Sequence, residues 1–184
     1  ASDWSSDVCS SDLGNDLAWM LPGLDRAAAR GEVVQLYAHG PGRTVAVDTV
    51  IGLLDAAAAR GLPFVTYREF EDRAPGPGLA LSFDDKDVGR WFALRSEFAR
   101  VGARVTFFIT RFDGFTAEEH AQLAQLAADG HDVEAHGKAH LDAPQMAADV
   151  GLRRFESDEL LPNITSLRQA GYPAVVYAYP FGAR

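Results

Sequence analysis

Two adjacent carboxylates, Asp84 and Asp85, close an apolar run of strand length, Leu79-Ala80-Leu81-Ser82-Phe83. Neighbouring strand residues point to opposite faces, so the pair shares one environment only where the strand ends. Two anions side by side repel and need a cation, a proton or strong donors nearby. His136-Gly137-Lys138-Ala139-His140 adds a second polar set. A spacing of four puts both imidazoles on one side of a helical turn, where they can bind one ion. One carboxylate with two histidines is a facial metal set that leaves positions for water and substrate. Plainer readings exist for each: a solvated strand end capping a helix from Asp87, and two solvated surface histidines. Of the other histidines, His39 ends a strand-like run. His120, beside Glu118 and Glu119, reads as a solvated surface residue, and His131, after Gly130, as the holder of a structural hydrogen bond.

The elements that must position these groups alternate along the chain. Strands are predicted over 32–38, 63–67, 79–85, 104–110, 132–136 and 174–179. Helices are predicted over 24–30, 47–60, 87–101, from the capping box at Thr116–Glu119 to about 129, and over 147–170 with a kink or break at Pro162. Gly31, Gly61, Gly102 and Gly130 punctuate helix ends. Such alternation implies a parallel sheet of right-handed βαβ units. His39, Asp84-Asp85, His136 and the turn Tyr179-Pro180-Phe181 then fall at the C-terminal ends of four different strands, the end where a parallel barrel or open sheet places its chemistry.

The composition suits one ordinary domain: 184 residues, 47% hydrophobic. A net charge of -9 disfavours nucleic acid and anionic membrane surfaces as partners. No apolar run approaches the ~20 residues of a membrane span. Residues 3–13 resemble a translated reading frame of a sequencing-library adapter and have no periodicity. Residues 1–13 are therefore set aside as a non-native scar, together with Cys9, the single cysteine. The expectation is that a native N-terminus, with any export signal, and a C-terminal piece beyond Arg184 have been cut away.

Ser82-Phe83-Asp84-Asp85, Thr106-Phe107-Phe108, the stretch from Gly130-His131 to His136-Gly137-Lys138-Ala139-His140, and Ala178-Tyr179-Pro180-Phe181-Gly182 together resemble the ordered motifs of the polysaccharide deacetylases (NodB-like, carbohydrate esterase family 4). The resemblance runs over 79–182. The strand ending in His39, the helix after it and the segment 62–67 resemble the end of the same family's domain, but stand in front of its beginning. Circular permutation accounts for this order, as does the tail of an upstream copy; the short linker over 71–78 favours permutation. The chain thus resembles a distorted (β/α) barrel of the seven-stranded deacetylase type, with about six strands present and the last two family strands placed first. On that reading 14–184 form one partial barrel, with 24–70 its permuted C-terminal part and 79–184 its N-terminal part. Three departures stand out. Ala178 replaces an arginine that supports the base, Lys86 follows the first motif where glycine is usual, and no fourth, acidic motif is found.

The resemblance implies metal-dependent hydrolysis of an acetyl group from an N-acetylated, less readily an O-acetylated, polysaccharide or oligosaccharide. Asp85, His136 and His140 would hold a divalent ion, Zn²⁺ above others. Asp84 would act as base, His39 would protonate the leaving amine, and the Phe181 N–H would stabilise the oxyanion. Tyr179 and Pro180 would contact substrate. Tyr179 and Trp91 are the rings available to stack on sugars, although both suit packing better. The substrate class implies an extracytoplasmic location. The alternative is a non-catalytic carbohydrate-binding or pseudoenzyme barrel. An aspartyl phosphatase built on Asp85-Lys86-Asp87 leaves the histidines unexplained.

Overall fold

A computed structural model describes residues 16–72 and 76–182. The stretch 1–13 read as a scar, with Cys9, lies outside the described residues. Four strands, β1 (Val33–Ala38), β2 (Gly78–Asp85), β3 (Thr106–Ile109) and β4 (Asp132–Ala135), form one parallel sheet in the order β1-β2-β3-β4. The sheet is an open four-stranded layer, not a closed seven-stranded barrel. Around it run α1 (Leu17–Arg30), α2 (Val47–Ala59), the short α3 (Glu69–Asp72), α4 (Val88–Phe92), α5 (Arg95–Val101), α6 (Ala117–Ala128), α7 (Ala143–Val150), α8 (Leu152–Phe155) and α9 (Leu161–Gln169).

Two of the six predicted strands reduce to single bridges. The segment 63–67 pairs with β2 only at Phe64–Leu79. Beyond that, Tyr67 N–H donates to Thr106 Oγ1 (3.0 Å) and Arg68 N–H to Asp132 Oδ2 (3.3 Å). Val65 N–H still bonds the Leu79 carbonyl (3.0 Å), but Thr66 N–H turns to the Glu69 carboxylate (2.9 Å), so the ladder with β2 stops after one bridge. The segment 174–179 meets β4 at one bridge, Ala135–Tyr177, and Val176 N–H turns to the Glu134 carboxylate instead (2.7 Å).

Helix boundaries also moved. The predicted helix over 87–101 is two, α4 and α5, with Ala93 and Leu94 between them. At the predicted point the helix is distorted and not broken: the outright break comes at Gly151, whose φ of +92° separates α7 from α8, and Pro162 sits in the first turn of α9. A π-helical turn over Glu156–Leu160 precedes it. Proline lacks the N–H that would bond the carbonyl four residues back, and its ring crowds that carbonyl; a widened turn there relieves both. The capping box formed as predicted, with Glu119 N–H on Thr116 Oγ1 (3.2 Å) and Thr116 N–H on Glu119 Oε2 (2.8 Å).

Alternation splits the sheet into two chemically different faces. Leu79, Leu81, Phe83, Phe107, Ile109, Val133 and Ala135 pack into the helix-covered core. There Phe83, Phe107 and Trp91 stack with centroids 5.1–6.5 Å apart. The other face is polar. Ser82, Thr106 and Asp132 share one row, and Asp84, Phe108 and Glu134 the next. Because all four strands are parallel, the groups at their C-terminal ends share one rim.

Candidate metal centre

β2 ends by delivering Asp84 and Asp85 to that rim. Asp85 turns out of the strand at φ +88°, and its C=O still receives Thr110 N–H (3.0 Å). This left-handed turn lets two consecutive carboxylates face one place, which an ideal strand forbids. β4 ends at Ala135, and the chain beyond it is an irregular loop, not the helical turn that a spacing of four suggests. It carries His136 and, with Gly137 at φ +89° and His140 at φ +64°, folds the second imidazole back beside the first. Asp85 Oδ1 lies 3.1 Å from His140 Nε2 and 3.8 Å from His136 Nε2. One donor atom from each of the three residues lies within 4.8 Å of the others. Donors around a tetrahedral ion with bonds of ~2.0–2.1 Å stand about 3.3 Å apart, so this set fits a small divalent cation.

The electrostatics agree with that fit. His136 Nδ1 faces the Ala178 carbonyl (2.9 Å). A carbonyl only accepts, so Nδ1 carries the proton and the Nε2 lone pair faces Asp85. Burial pushes the His136 pKa down to about 4, with the Ala178 bond opposing, which keeps the ring neutral. At Asp85 burial acts to raise the pKa. The His140 hydrogen bond, and the charge that the neighbouring histidines His39, His140 and His136 carry whenever protonated, outweigh it and hold the carboxyl below its ordinary range. Asp84 is buried, with the Ser82 hydroxyl 3.5 Å away. Burial, then the charge of Asp85, push its pKa up to about 8. A cation beside it would act in the opposite direction.

His39 follows β1 and reaches the same rim, close enough for its charge to act on Asp85. Its loop is tied to α4. Trp91 Nε1–H donates to the His39 carbonyl (2.7 Å), Arg90 to the Pro41 carbonyl (3.3 Å), and Arg43 pairs with Asp87. Asp87 therefore serves this ion pair and makes no side-chain cap on α4. Phe181, at φ +62° and 69% exposed, packs edge-on against His140 with centroids 4.7 Å apart. Tyr179 is 49% exposed and stacks on Phe155 (6.3 Å). Pro180 is buried, which leaves Tyr179 and Phe181 as the exposed rings of this turn.

Trp91 is fully buried in the core, the packing role that suited it better than stacking on a sugar. Two other sequence readings change. His120 is half-buried, its ring packed edge-on against Phe112 (4.7 Å). Glu159 and Asn163, read as part of an ordinary helix, are buried and bonded to the loop that carries the histidines. A carboxylate one helical turn from an Asn, in a stretch with Phe155 and Leu167, was the available signal. His131 does hold a structural bond, its Nδ1 accepting Val105 N–H (3.1 Å). A surface cleft of about 760 Å³ lies apart from this centre, lined in part by Arg95, Arg104, Asp129 and His131; both arginines are already paired, with Asp129 and Glu69.

Comparison with known proteins follows the same lines. The family described as polysaccharide deacetylase matches residues 71–184, more than half of the chain. The fold is similar to IcaB from Ammonifex degensii, with 20% identity and a TM-score of 0.64, over 82% of this chain and 75% of that one. It is also similar to the Streptococcus pyogenes deacetylase PplD, solved with acetate, at 18% identity and TM-score 0.63, over 83% and 74% of the two chains. The BpsB deacetylase domain from Bordetella bronchiseptica matches at 15% identity and TM-score 0.55, over 72% and 69%. No curated protein sequence matches the chain.

Proposed function

The chain belongs to the polysaccharide deacetylase family, and on that premise we propose that it removes acetyl groups hydrolytically from an N-acetylated glycan, less readily from an O-acetylated one. The observation that carries this reading is the convergence of Asp85, His136 and His140 on one point beside the buried Asp84. Two imidazoles and a carboxylate suit zinc among the divalent ions. When bound there, the ion supplies Lewis-acid polarisation of the acetyl carbonyl and lowers the pKa of water.

The chain's own residues supply the rest. Asp84 accepts the proton of the attacking water, and a cation held beside it would favour the ionised form that can do so. The Phe181 N–H donates to the oxyanion of the tetrahedral intermediate, a contact typically worth ~3 kcal/mol. His39 gives a proton to the sugar nitrogen as the C–N bond breaks, leaving acetate and a free amine. The exposed ring of Tyr179 receives a sugar face, and Pro180 shapes the turn that presents it. Glycans of this kind lie outside the cytoplasm, which is where this activity would be used. Among the described residues, no helix is long and apolar enough to cross a membrane.

Chain order belongs to the same proposal. β1 lies parallel beside β2, Val34 opposite Leu79 and Ala38 opposite Phe83. This pairing supports 24–70 as the family's C-terminal part moved in front of its first strand.

The test is acetate release from acetylated chito-oligosaccharides by zinc-loaded protein, with bound metal measured in parallel. Asp85→Ala and His136→Ala are expected to lose both; unchanged metal content and acetate release in both variants would sink the assignment. A second reading, glycan binding without catalysis, draws on Ala178, whose methyl offers Asp84 no cation. Saturable glycan binding with no acetate release by the metal-loaded protein would favour it.

A further inference from the structure

Behind the histidines stands a carboxylate that the proposed chemistry does not use. Glu159 has no exposed surface. It accepts Ala139 N–H through both oxygens (3.1 and 2.9 Å) and Leu141 N–H through Oε1 (3.0 Å). Those two amides flank His140, whose φ of +64° lies in the left-handed region. That conformation costs a non-glycine residue about 1–2 kcal/mol and persists only where its surroundings hold it.

Other groups of the same helical turn complete the grip. The Glu159 carbonyl receives Lys138 N–H (3.1 Å). Asn163, four residues on and so on the same face, accepts both His136 N–H and Gly137 N–H through Oδ1 (3.0 Å each). The N–H groups of Gly137, Lys138, Ala139 and Leu141 are thus all received by one turn of helix, which shares that of His136 with the Ile109 carbonyl (3.0 Å). The contact is close enough to exclude a side chain at Gly137. A Cβ there would stand 2.5 Å from Glu159 Oε1 and 3.1 Å from the Tyr177 hydroxyl. A buried carboxylate is costly unless its oxygens are filled, and here they are filled by the loop whose shape sets the distance between His140 and Asp85.

We propose that Glu159 is a positioning residue of the metal centre: its carboxylate locks the left-handed turn that aims His140 at Asp85, while Asn163 anchors His136. This rests on the metal-centre reading above. Supporting groups of this kind typically change metal affinity by about 10–100-fold when removed.

The test titrates zinc into the full chain in competition with a chromophoric chelator. E159A is expected to bind zinc about 10–100-fold more weakly than the parent. E159Q, whose amide oxygen can take the place of Oε1, is expected to recover most of that loss. A role confined to folding would lower the melting temperature of E159A and leave its zinc affinity within about twofold of the parent; that result overturns the proposal. If E159A does not fold, amide exchange in the metal-free parent decides. Ala139 and Leu141 are exposed residues, yet their amides are expected to exchange slowly, and exchange at the free-peptide rate overturns the proposal. A parent that binds no zinc overturns both readings, whereas equal binding by parent and E159A overturns this one alone.

Discussion

Lowering the pH should unfold this protein in part through one residue far from its chemistry, His131. Its ring is 5% exposed and packs edge-on against Phe98 and Phe107, with centroids 5.0 and 5.6 Å apart. Its Nδ1 accepts the Val105 N–H (3.1 Å) at the approach to β3, so the folded protein needs the neutral ring. Burial pushes its pKa down from 6.5 to about 4; the charge of Asp129 opposes this, and Arg104 and Arg95 reinforce it. The unfolded chain therefore takes up a proton that the folded chain refuses. This contribution to stability is fully present above about pH 6.5 and is lost as the pH falls towards 4. A shift of that size corresponds to about 3 kcal/mol, a large share of a domain's usual margin. His131→Asn isolates it, because the amide oxygen can accept the Val105 N–H and does not titrate. Urea unfolding between pH 8 and pH 4 should show parent stability falling more steeply than the variant's, and the two curves converging by up to about 3 kcal/mol. The variant's lost packing offsets its curve equally at every pH. Parallel curves would refute the assignment of a neutral, accepting imidazole.

Asp84→Asn should keep bound zinc but lower kcat by about 10²–10⁴-fold, measured as acetate release; activity within a few-fold of the parent would remove Asp84 as the base. Gly137→Ala meets both a φ of +89° and a contact of 2.5 Å with Glu159 Oε1, so it should destabilise the fold by about 2 kcal/mol and weaken zinc binding. Thermal melts with and without zinc check both effects. Trp91→Phe keeps an aromatic in the core but leaves the His39 carbonyl without its indole donor (2.7 Å). It should cost about 1–3 kcal/mol in urea unfolding and lower kcat through His39, with zinc affinity unchanged. Chelation with EDTA should abolish acetate release, and added zinc should restore it; persistence of activity after verified metal removal would refute the dependence on a metal.

Much of this protein was legible in local pattern. Strand-to-helix alternation, glycine stops and the capping box at Thr116 depend on interactions within a few residues, so the chain alone reveals them. A parallel sheet then puts the C-terminal strand ends on one rim, and that topological rule brings Asp85 and His136 together. A spacing of four joins His140 to them through a helical turn, whereas a left-handed loop is what carries it there. Tertiary structure decided what depends on partners distant in sequence. Whether 63–67 becomes a strand turned on where its amides found acceptors: Val65 found the Leu79 carbonyl on β2, but Thr66 and Tyr67 found the side chains of Glu69 and Thr106, so the ladder ended. The helical period over 87–101 already puts Trp91 on an apolar face, but its partners there, Phe83 and Phe107, come from other strands and only the fold names them. Asp84 and Asp85 look alike in the sequence, and only burial and the neighbouring histidines push their proton affinities apart. Glu159 is the sharpest case. A helix of this composition shows its acidic residues to solvent by default, and only the fold brings a left-handed histidine loop against it and fills its oxygens with backbone N–H groups.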